Sequence, residues 1–572
     1  MILNQKKNEQ ENKFQEKIRT QNYKAVSTIG NIMKGVFGPK GLDKMIIDNF
    51  GEIIISNNGK KILKQLKVQN PIAKILIESA KLQGKEIGDG IISTILLASE
   101  LLKQAFELVD NSVHPNTIIN GYKIALKQAI NYINRDLSKN IKFCGKKSLF
   151  YIAKTAMTSK IPENFADFFA NLISDLMSPF MKKGGSLLKS SIPKIYILKI
   201  NGKCLKDSKL IDGLALNLPI ASNKMPQTIK NAKIIALKFP LTSQKLGLDL
   251  NTCIKVQNIQ DLSKIANREK QILKERVDLI IKSGINVVLS TKTIENNCLK
   301  TFESAKIIVI RNIPEKQMKR ICKATGTIPI ISLININGDE NIDKNCLGQA
   351  KQVSKEKISE NEIVLFQGLK TKRIQTILLR GQTKNYLEQS YQSIKNAISC
   401  VKRVLETNAI VIGGGTFETS ISVYLEKFTK TLASREQIAI AKFAESLLVL
   451  PKTLISNSDG DCLDLISKLR ACHYSFQSNN DKSLNYLQFV GLDLLNNKLA
   501  NNLFAGVLEP SVLKINLIKK ATETAITFIR IDDFFHFDSF VSNLDLLVQD
   551  HHFLELDLNL NFKKDFEWNL KI

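Results

Sequence analysis

The order of hydrophobic periodicities along the 572 residues constrains the fold more than any other feature of the sequence. Apolar residues recur at helical spacing in both end regions, over residues 14–36, 59–66, 71–84, 91–109 and 115–136 and again over 384–405, 416–427, 434–449, 462–471 and 511–530. Between about residues 190 and 330, β-branched runs such as IPKIYILKI, AKIIALKF and AKIIVIRN alternate with amphipathic stretches, which indicates an α/β unit. We therefore predict a helical domain built from both ends of the chain, with the α/β middle inserted into it.

The length of the chain indicates several domains, because domains usually run about 100 to 200 residues. Residues 44–56, KMIIDNFGEIIIS, contain two short β-branched runs around a polar turn with a glycine, a pattern typical of a hairpin. The sequence thus predicts a multidomain α+β protein with a hairpin in its helical domain.

Composition is that of a folded protein, because 44% of the residues are hydrophobic. No run of about 18 apolar residues occurs, and the start, MILNQKKNEQENK, turns polar before the apolar region of a signal peptide forms. Nine cysteines are scattered without a CxxC pair, which favours reduced thiols. We expect a soluble cytoplasmic protein, in which the adjacent Cys472 and His473 are ordinary buried residues rather than metal ligands.

The net charge of +28 raises the question of nucleic-acid binding, which depends on Lys and Arg. Lysines are spread along the whole chain, however, and no basic block is interleaved with the aromatic residues that stack bases. The distribution favours a solvated, lysine-rich surface over a nucleic-acid partner.

Three glycine-containing loops lie in the two helical parts: GPKG at residues 38–41, GDG at 88–90 and GGG at 413–415. Glycine lets backbone N–H groups approach an anion, and the N-terminus of a helix favours phosphate. Asp89 adds a carboxylate that can hold Mg²⁺. Together the loops predict a site for a phosphate group and its metal ion.

These loops resemble those of the group II chaperonins, the ATP-driven folding machines of archaea and the eukaryotic cytosol. GPKGLDKMIID is similar to the family's GPKGMDKM-like stretch, SNNGKKILK to TNDGATILK, GDGIIST to GDGTTS and IGGGTFE to PGGGA.E. The resemblance runs from about residue 20 to 533. Stretches such as KLRACH, FVGLDLLNNK and AGVLEPSVLK narrow it to one subunit type of the eukaryotic cytosolic complex.

The resemblance implies a helical equatorial domain, a small intermediate domain and an α/β apical domain with a helical protrusion near residues 243–270. The implied segments are equatorial 1–145 and 403–533, intermediate 146–215 and 366–402, apical 216–365, and a divergent tail 534–572. Alternation in HFLELDLNLNF predicts a strand in that tail. The implied partners are unfolded client proteins and other chaperonin subunits. The subunits form a hetero-oligomeric assembly of two stacked eight-membered rings.

The resemblance also implies ATP and Mg²⁺ as cofactors. Asp89 matches the magnesium ligand, and Lys160, after Ser159, matches the lysine that senses the γ-phosphate. The other matching positions are those of the phosphate loops, Gly38, Pro39, Gly88, Gly90 and Ser93, and those that hold base and ribose, Gly414 and Glu509.

Four positions depart from the family's pattern. Ile91 and Ile92 stand where the family has two threonines that contact phosphate oxygens. Asn58 stands where it has an aspartate beside the γ-phosphate, and Asn396 where a second aspartate orients the attacking water. Since an amide cannot accept a proton as a carboxylate does, we expect ATP to bind while hydrolysis is slowed by about 10²- to 10⁴-fold.

Two alternatives stay open at this point. A fully active ATPase would need another carboxylate near the γ-phosphate, for which Asp48 and Asp461 are the candidates. A stand-alone nucleic-acid-binding or scaffold protein would function outside any ring.

Residues 314–324, PEKQMKRICKA, resemble the apical helix that faces client proteins. Met318 and Cys322 share one helical face and would contact clients or pack on their own sheet. Lys316, Lys319 and Lys323 share another face, which suits acidic clients.

Overall fold

The computed structural model describes residues 19–47, 51, 53–66, 68–141, 145, 147–181, 194–242, 259–333, 340–358, 361–369, 374–478 and 482–531. The chain divides into two compact units, one of Asn22–Arg530 and one of Met1–Gln21 with Ile531–Ile572. The second unit is described only at residues 19–21 and 531. The predicted tail 534–572, residues 243–258 of the predicted protrusion and Asp48 lie outside the described residues.

The helices are α1 (residues 19–34), α2 (Gly59–Gln65), α3 (Pro71–Glu86), α4 (Ile91–Asp110), α5 (Pro115–Tyr132), α6 (Lys147–Thr158), α7 (Glu163–Met181), α8 (Ile259–Lys282), α9 (Asn296–Ser304), α10 (Glu315–Thr325), α11 (Lys384–Thr407), α12 (Thr416–Thr429), α13 (Glu436–Leu447), α14 (Val449–Ser456), α15 (Cys462–Ser478), α16 (Asn502–Ala505) and α17 (Ser511–Ile529). None of these described helices is long and apolar enough to cross a membrane.

The strands are β1 (Lys44–Ile47), β2 (Ile53–Ser56), β3 (Lys139–Asn140), β4 (Lys194–Asn201), β5 (Lys209–Ile211), β6 (Gly213–Asn217), β7 (Thr228–Leu237), β8 (Val287–Ser290), β9 (Ile308–Ile310), β10 (Gly348–Ile358), β11 (Asn361–Leu369), β12 (Ile374–Gly381), β13 (Ala409–Ile412), β14 (Val490–Asp493), β15 (Lys498–Asn501) and β16 (Leu508–Pro510). They form sheets in the orders β6-β11-β10-β7-β8-β9, β4-β12-β5 and β16-β13-β3, and two hairpins, β1-β2 and β14-β15.

The middle of the chain forms the predicted α/β unit. Strands β7, β8 and β9 run parallel and are connected through α8 and α9, whereas β10, β11 and β6 extend the sheet beyond β7 with each neighbouring pair antiparallel. Every residue of β8 and β9 is buried, as expected of parallel strands with both faces covered. The stretch IPKIYILKI behaves differently from the prediction, because β4 leaves this unit and pairs in parallel with β12.

The two end regions of the chain pack against each other. Tyr122 on α5 meets Phe443 on α13 edge to face, with ring centroids 5.5 Å apart, and both side chains are fully buried. Strand β13 pairs with β16 on one side and with β3 on the other. The helices of the first and last parts of the chain thus share one core, as the sequence predicts. The domain boundaries given above stay predictions.

The predicted helix 434–449 is two helices, because α13 ends at Leu447 and α14 begins at Val449. Pro451 lies in the first turn of α14, where proline is tolerated, but it would break the interior of one long helix. The sequence signal for the division was this proline.

His473 on α15 is fully buried, and its Nε2 lies 3.1 Å from the carbonyl oxygen of Val490. Burial lowers the pKa of His473 to about 4, although the bond to Val490 opposes the shift. The neutral imidazole therefore acts in packing and hydrogen bonding within the core.

This lowered pKa predicts how stability depends on pH. An unfolded histidine becomes protonated as the pH falls below 6.5, whereas folded His473 stays neutral down to about pH 4. At pH 5 the free energy of unfolding should therefore be about 2 kcal/mol lower than at pH 7 on account of this residue. Urea unfolding of the wild type and of His473→Gln, at both pH values, measures the difference. Equal pH dependence in the two proteins would contradict the assignment.

Candidate functional site

One cavity of about 590 Å³ brings together the residues that the sequence singles out. Its wall contains Gly38, Pro39, Asn58, Gly88, Asp89, Gly90, Ile91, Ile92, Ser93, Ser159, Lys160, Asn396, Gly414 and Glu509. These residues come from segments far apart in the chain, and the packing of the two end regions brings them together. Asp461 is not on this wall, because its carboxylate accepts hydrogen bonds from the backbone of Leu463 and Asp464 at the start of α15.

Two helices begin at the cavity wall with backbone N–H groups that no side chain among the described residues caps. Gly90 precedes α4 and Gly415 precedes α12, and both have left-handed backbone conformations. The positive ends of the two helix dipoles and their free N–H groups favour an anion here.

Gly88 brings the backbone before α4 close to α11. Its φ is +104°, and a Cβ atom at this position would lie 2.8 Å from the Cβ of Ser399. A residue other than glycine would push the loop away from α11, which carries Asn396. The glycine therefore sets the distance between Asp89 and the Asn396 side of the cavity.

Asp89 and Lys160 place opposite charges at the cavity wall. The Nζ of Lys160 lies 3.4 Å from Oδ1 of Asp89, and the lysine side chain is only 11% exposed. Within the ranges described above, no three His, Cys, Asp or Glu residues stand close enough together to hold a metal ion by themselves. A single carboxylate suits Mg²⁺, which is commonly held by one or two carboxylates with phosphate and water oxygens completing its shell.

The two asparagines occupy different settings. Asn58 is 6% exposed, and its Oδ1 accepts a hydrogen bond from the backbone N–H of Lys60, 3.0 Å away, which caps α2. Asn396 is partly buried on α11. Neither amide can take up a proton from a water molecule, so the described geometry supplies no carboxylate at either position.

Ile91 and Ile92 make part of the wall apolar. Ile91 is 8% exposed and packs beside Gly84 and Gly59, and a Cβ atom at Gly59 would lie 2.9 Å from Cγ1 of Ile92. The two side chains fill space between α2, α3 and α4 that hydroxyl groups would not fill. Phosphate oxygens would have to be held here by backbone groups and by Ser93.

Asn57 is a residue that sequence reasoning missed. Its Nδ2 donates to the carbonyl oxygen of Ser159 over 2.7 Å, and its Oδ1 accepts from Gln389 over 3.2 Å. It thereby joins the loop of Asn58, the segment of Lys160 and helix α11. Its only sequence signal was its place beside Asn58.

The glycines at 413–415 lie against the last part of the chain. Asn502 Nδ2 donates to the carbonyl oxygen of Gly413 over 3.0 Å. The backbone N–H of Leu492 donates to the carbonyl oxygen of Gly414 over 2.9 Å. Asp493 also reaches the wall, where the Asn496 side chain lowers the pKa of its carboxyl group by a hydrogen bond. Asp493 belongs to the stretch FVGLDLLNNK, but nothing in that stretch marked it as a site residue, and Asn502 lies in none of the quoted stretches.

A buried lysine lies beneath this loop. Lys514 Nζ is 2.7 Å from Oε1 of Glu418 and 3.0 Å from Oε2 of Glu509. Burial alone lowers the pKa of Lys514, but the charges of the two glutamates raise it above its ordinary value. Burial raises the pKa of Glu509, and Lys514 opposes that shift. Glu418 follows directly in the motif GGGTFE, which could have drawn attention to it.

A second surface, on α10, also corresponds to a sequence prediction. Met318 and Cys322 are buried in the core beneath the six-stranded sheet. They are therefore not free to contact a client, so packing on their own sheet is the interpretation that the structure supports. Lys316, Lys319 and Lys323 are exposed.

Comparison with known proteins identifies the family to which the chain is similar. A sequence profile of the TCP-1/cpn60 chaperonin family matches residues 29–536. T-complex protein 1 subunit alpha of Dictyostelium discoideum is 44% identical over 90% of this chain and 93% of its own, and that of Arabidopsis thaliana is 41% identical over 90% and 94%. Thermosome subunit alpha of Archaeoglobus fulgidus is 33% identical over 90% of both chains.

These matches confirm the resemblance predicted from the glycine loops, including its narrowing to the alpha type of subunit, and they confirm the multidomain α+β class of fold. The chain belongs to the TCP-1/cpn60 chaperonin family.

Proposed function

We propose that this chain is an alpha-type subunit of a cytoplasmic, hetero-oligomeric chaperonin double ring that assists the folding of unfolded proteins. It binds ATP with Mg²⁺ in the cavity described above, and its own hydrolysis is weak. The observation that carries the proposal is the convergence of three glycine loops, Asp89 and Lys160 on one cavity in which Asn58 and Asn396 replace carboxylates.

Binding of the triphosphate rests mainly on backbone groups. The N-termini of α4 and α12, which no described side chain caps, offer N–H donors, and Gly38 and Gly88 let their loops lie close against Leu454 and Ser399. These donors do not depend on the residues that depart from the family's pattern. ATP is therefore expected to bind despite Ile91 and Ile92.

Asp89 would hold Mg²⁺, and the ion would neutralise phosphate charge when bound. Lys160 is close enough to Asp89 to exchange that partner for a phosphate oxygen, because a lysine side chain is flexible and carries three donors. The ion pair between them therefore marks the phosphate end of the cavity.

Weak hydrolysis follows from the two amides. In-line attack needs an oriented water molecule whose proton is accepted by a base, and loss of that base slows a reaction by about 10²- to 10⁴-fold. Asn58 Oδ1 also accepts a hydrogen bond from the N–H of Lys60, which ties this side chain to the cap of α2. Of the two alternative carboxylates, Asp461 is away from the cavity wall.

Association with other subunits is supported by the β1-β2 hairpin. Met45 lies opposite Ile55 and Ile47 opposite Ile53, and these four side chains are between 50% and 66% exposed. The residues on the opposite face of the hairpin are less exposed. An apolar strand pair of this kind, uncovered by the described part of the chain, is suited to bind a neighbouring protein.

Restoring the carboxylates tests the proposed loss of hydrolysis. With excess purified full-length chain over radiolabelled Mg-ATP, the Asn58→Asp/Asn396→Asp double variant should hydrolyse bound ATP about 10²- to 10⁴-fold faster than the wild type. Asn120→Asp, an exposed asparagine on α5, is the matched control and should leave the rate unchanged. A wild-type rate equal to that of the double variant would show that the site is fully active.

The double variant Ile47→Ser/Ile55→Ser tests assembly. The tagged full-length chain is expressed in cells of its source organism, and the assemblies that contain it are separated by size. Loss of two exposed isoleucine side chains that a neighbouring subunit would bury should reduce the ring-sized fraction by at least about tenfold. Leu463→Ser, at an 83% exposed position on α15, should not change it. If the wild type migrates only as a free 64.2 kDa species that binds RNA, the chain functions outside a ring.

A further inference from the structure

The buried cluster of Lys514, Glu418 and Glu509 does more than join α12, β16 and α17. All three residues belong to the wall of the cavity. Their side chains are 9%, 4% and 21% exposed, respectively, so the glutamate on β16 is the one that retains access to the cavity. One carboxylate, that of Glu509, reaches the cavity, and two charged side chains are enclosed behind it. This arrangement indicates that Lys514 and Glu418 support Glu509.

The charges in the cluster do not balance, because two carboxylates share one ammonium group. Glu418 Oε2 is enclosed and has no hydrogen-bond partner in the part of the chain that the structure describes. Both glutamates contact the same ammonium group, and the negative charge of Glu418 favours the protonated acid at Glu509. Burial of Glu509 acts in the same direction.

Lys514 acts in the opposite direction. Among the charged groups that face Glu509, Glu418 on α12 and Asp89 before α4 favour protonation, whereas Lys514 on α17 favours the carboxylate through its charge and its hydrogen bond. The thiol of Cys400, on α11, also faces this region and is itself kept neutral by burial. The ionised state of Glu509 therefore depends on one lysine in the described surroundings.

The ionised state matters because of the chemistry of a nucleoside. An ionised carboxylate only accepts hydrogen bonds, and it accepts them readily from ribose hydroxyl groups, whereas the protonated acid also donates. Glu509 lies beside Gly413, in the loop of Gly414, and the resemblance to the chaperonins implies that Gly414 and Glu509 hold the base and ribose.

We propose that Lys514 is a positioning residue that keeps Glu509 as an ionised hydrogen-bond acceptor for the nucleoside part of the bound nucleotide, against the opposing charge of Glu418. This inference rests on the proposed function, because it concerns the same nucleotide.

The experiment measures the dissociation constant of Mg-ATP for the full-length chain between pH 6 and 8.5. For each variant, the result is the ratio of its dissociation constant to that of the wild type at the same pH. Lys514→Met removes the ammonium group and keeps most of the side chain. Its affinity should be at least tenfold weaker than that of the wild type near pH 6 and should approach the wild-type value as the pH rises and Glu509 ionises. Lys514→Arg should follow the wild type.

Glu418→Gln provides a second test with the opposite sign. This variant removes the negative charge of Glu418, which opposes ionisation of Glu509. Any loss of Mg-ATP affinity at acid pH should therefore begin at a lower pH in Glu418→Gln than in the wild type. The double variant Lys514→Met/Glu418→Gln should lie between Lys514→Met and the wild type. These variants keep the inference testable if Lys514→Met does not fold.

The possible results separate the two proposals. If the wild type binds Mg-ATP but Lys514→Met keeps a constant ratio to it at every pH, Lys514 is only structural and the inference is overturned. A shift to higher pH in Glu418→Gln also overturns it. If the wild type binds no Mg-ATP at any pH, the nucleotide site itself is wrong.

Discussion

The packing of the first helices of the chain against the last ones is the constraint on which the rest of the structure depends. Helix α4 packs against both α13 and α17, and β13 takes its partners from both sides of the inserted middle. The cavity exists only where these elements meet, since its wall draws on loops near residues 38, 58, 88, 160, 414 and 509. A core shared in this way couples the integrity of the site to the integrity of the whole helical region.

Much of this arrangement is readable in the sequence because it depends on strong local signals. The helix of residues 91–109, for example, has apolar residues at regular spacing and a glycine before its first turn, and the structure places α4 at Ile91–Asp110. The strand IPKIYILKI shows where such reasoning fails. Its residues predict a strand, but its partner β12 follows only after the whole six-stranded sheet, and no local pattern specifies so distant a pairing.

The residues of the site also fall into two groups, those that the sequence reveals and those that it does not. Glycine motifs and the replaced carboxylates are visible because their spacing is short, and the structure gathers all of them on one wall. The roles of Asn57, Asn502 and Lys514 are not visible in the sequence, although two of them lie in quoted stretches, because each contacts a residue far along the chain. A buried lysine in particular looks like any other of the many lysines until the two glutamates around it are located.

The side chains of Ile91 and Ile92 have a consequence for the stability of the helices around the cavity. Each fills a recess whose floor is a glycine, Gly59 or Gly84, so hydrocarbon now contributes to holding α2, α3 and α4 together. Replacing the buried Ile91 by threonine would leave a void and enclose a hydroxyl group, which lowers the free energy of unfolding by about 1 kcal/mol or more. The hydrocarbon that keeps hydroxyl groups away from this part of the wall therefore also acts as mortar between the helices around it.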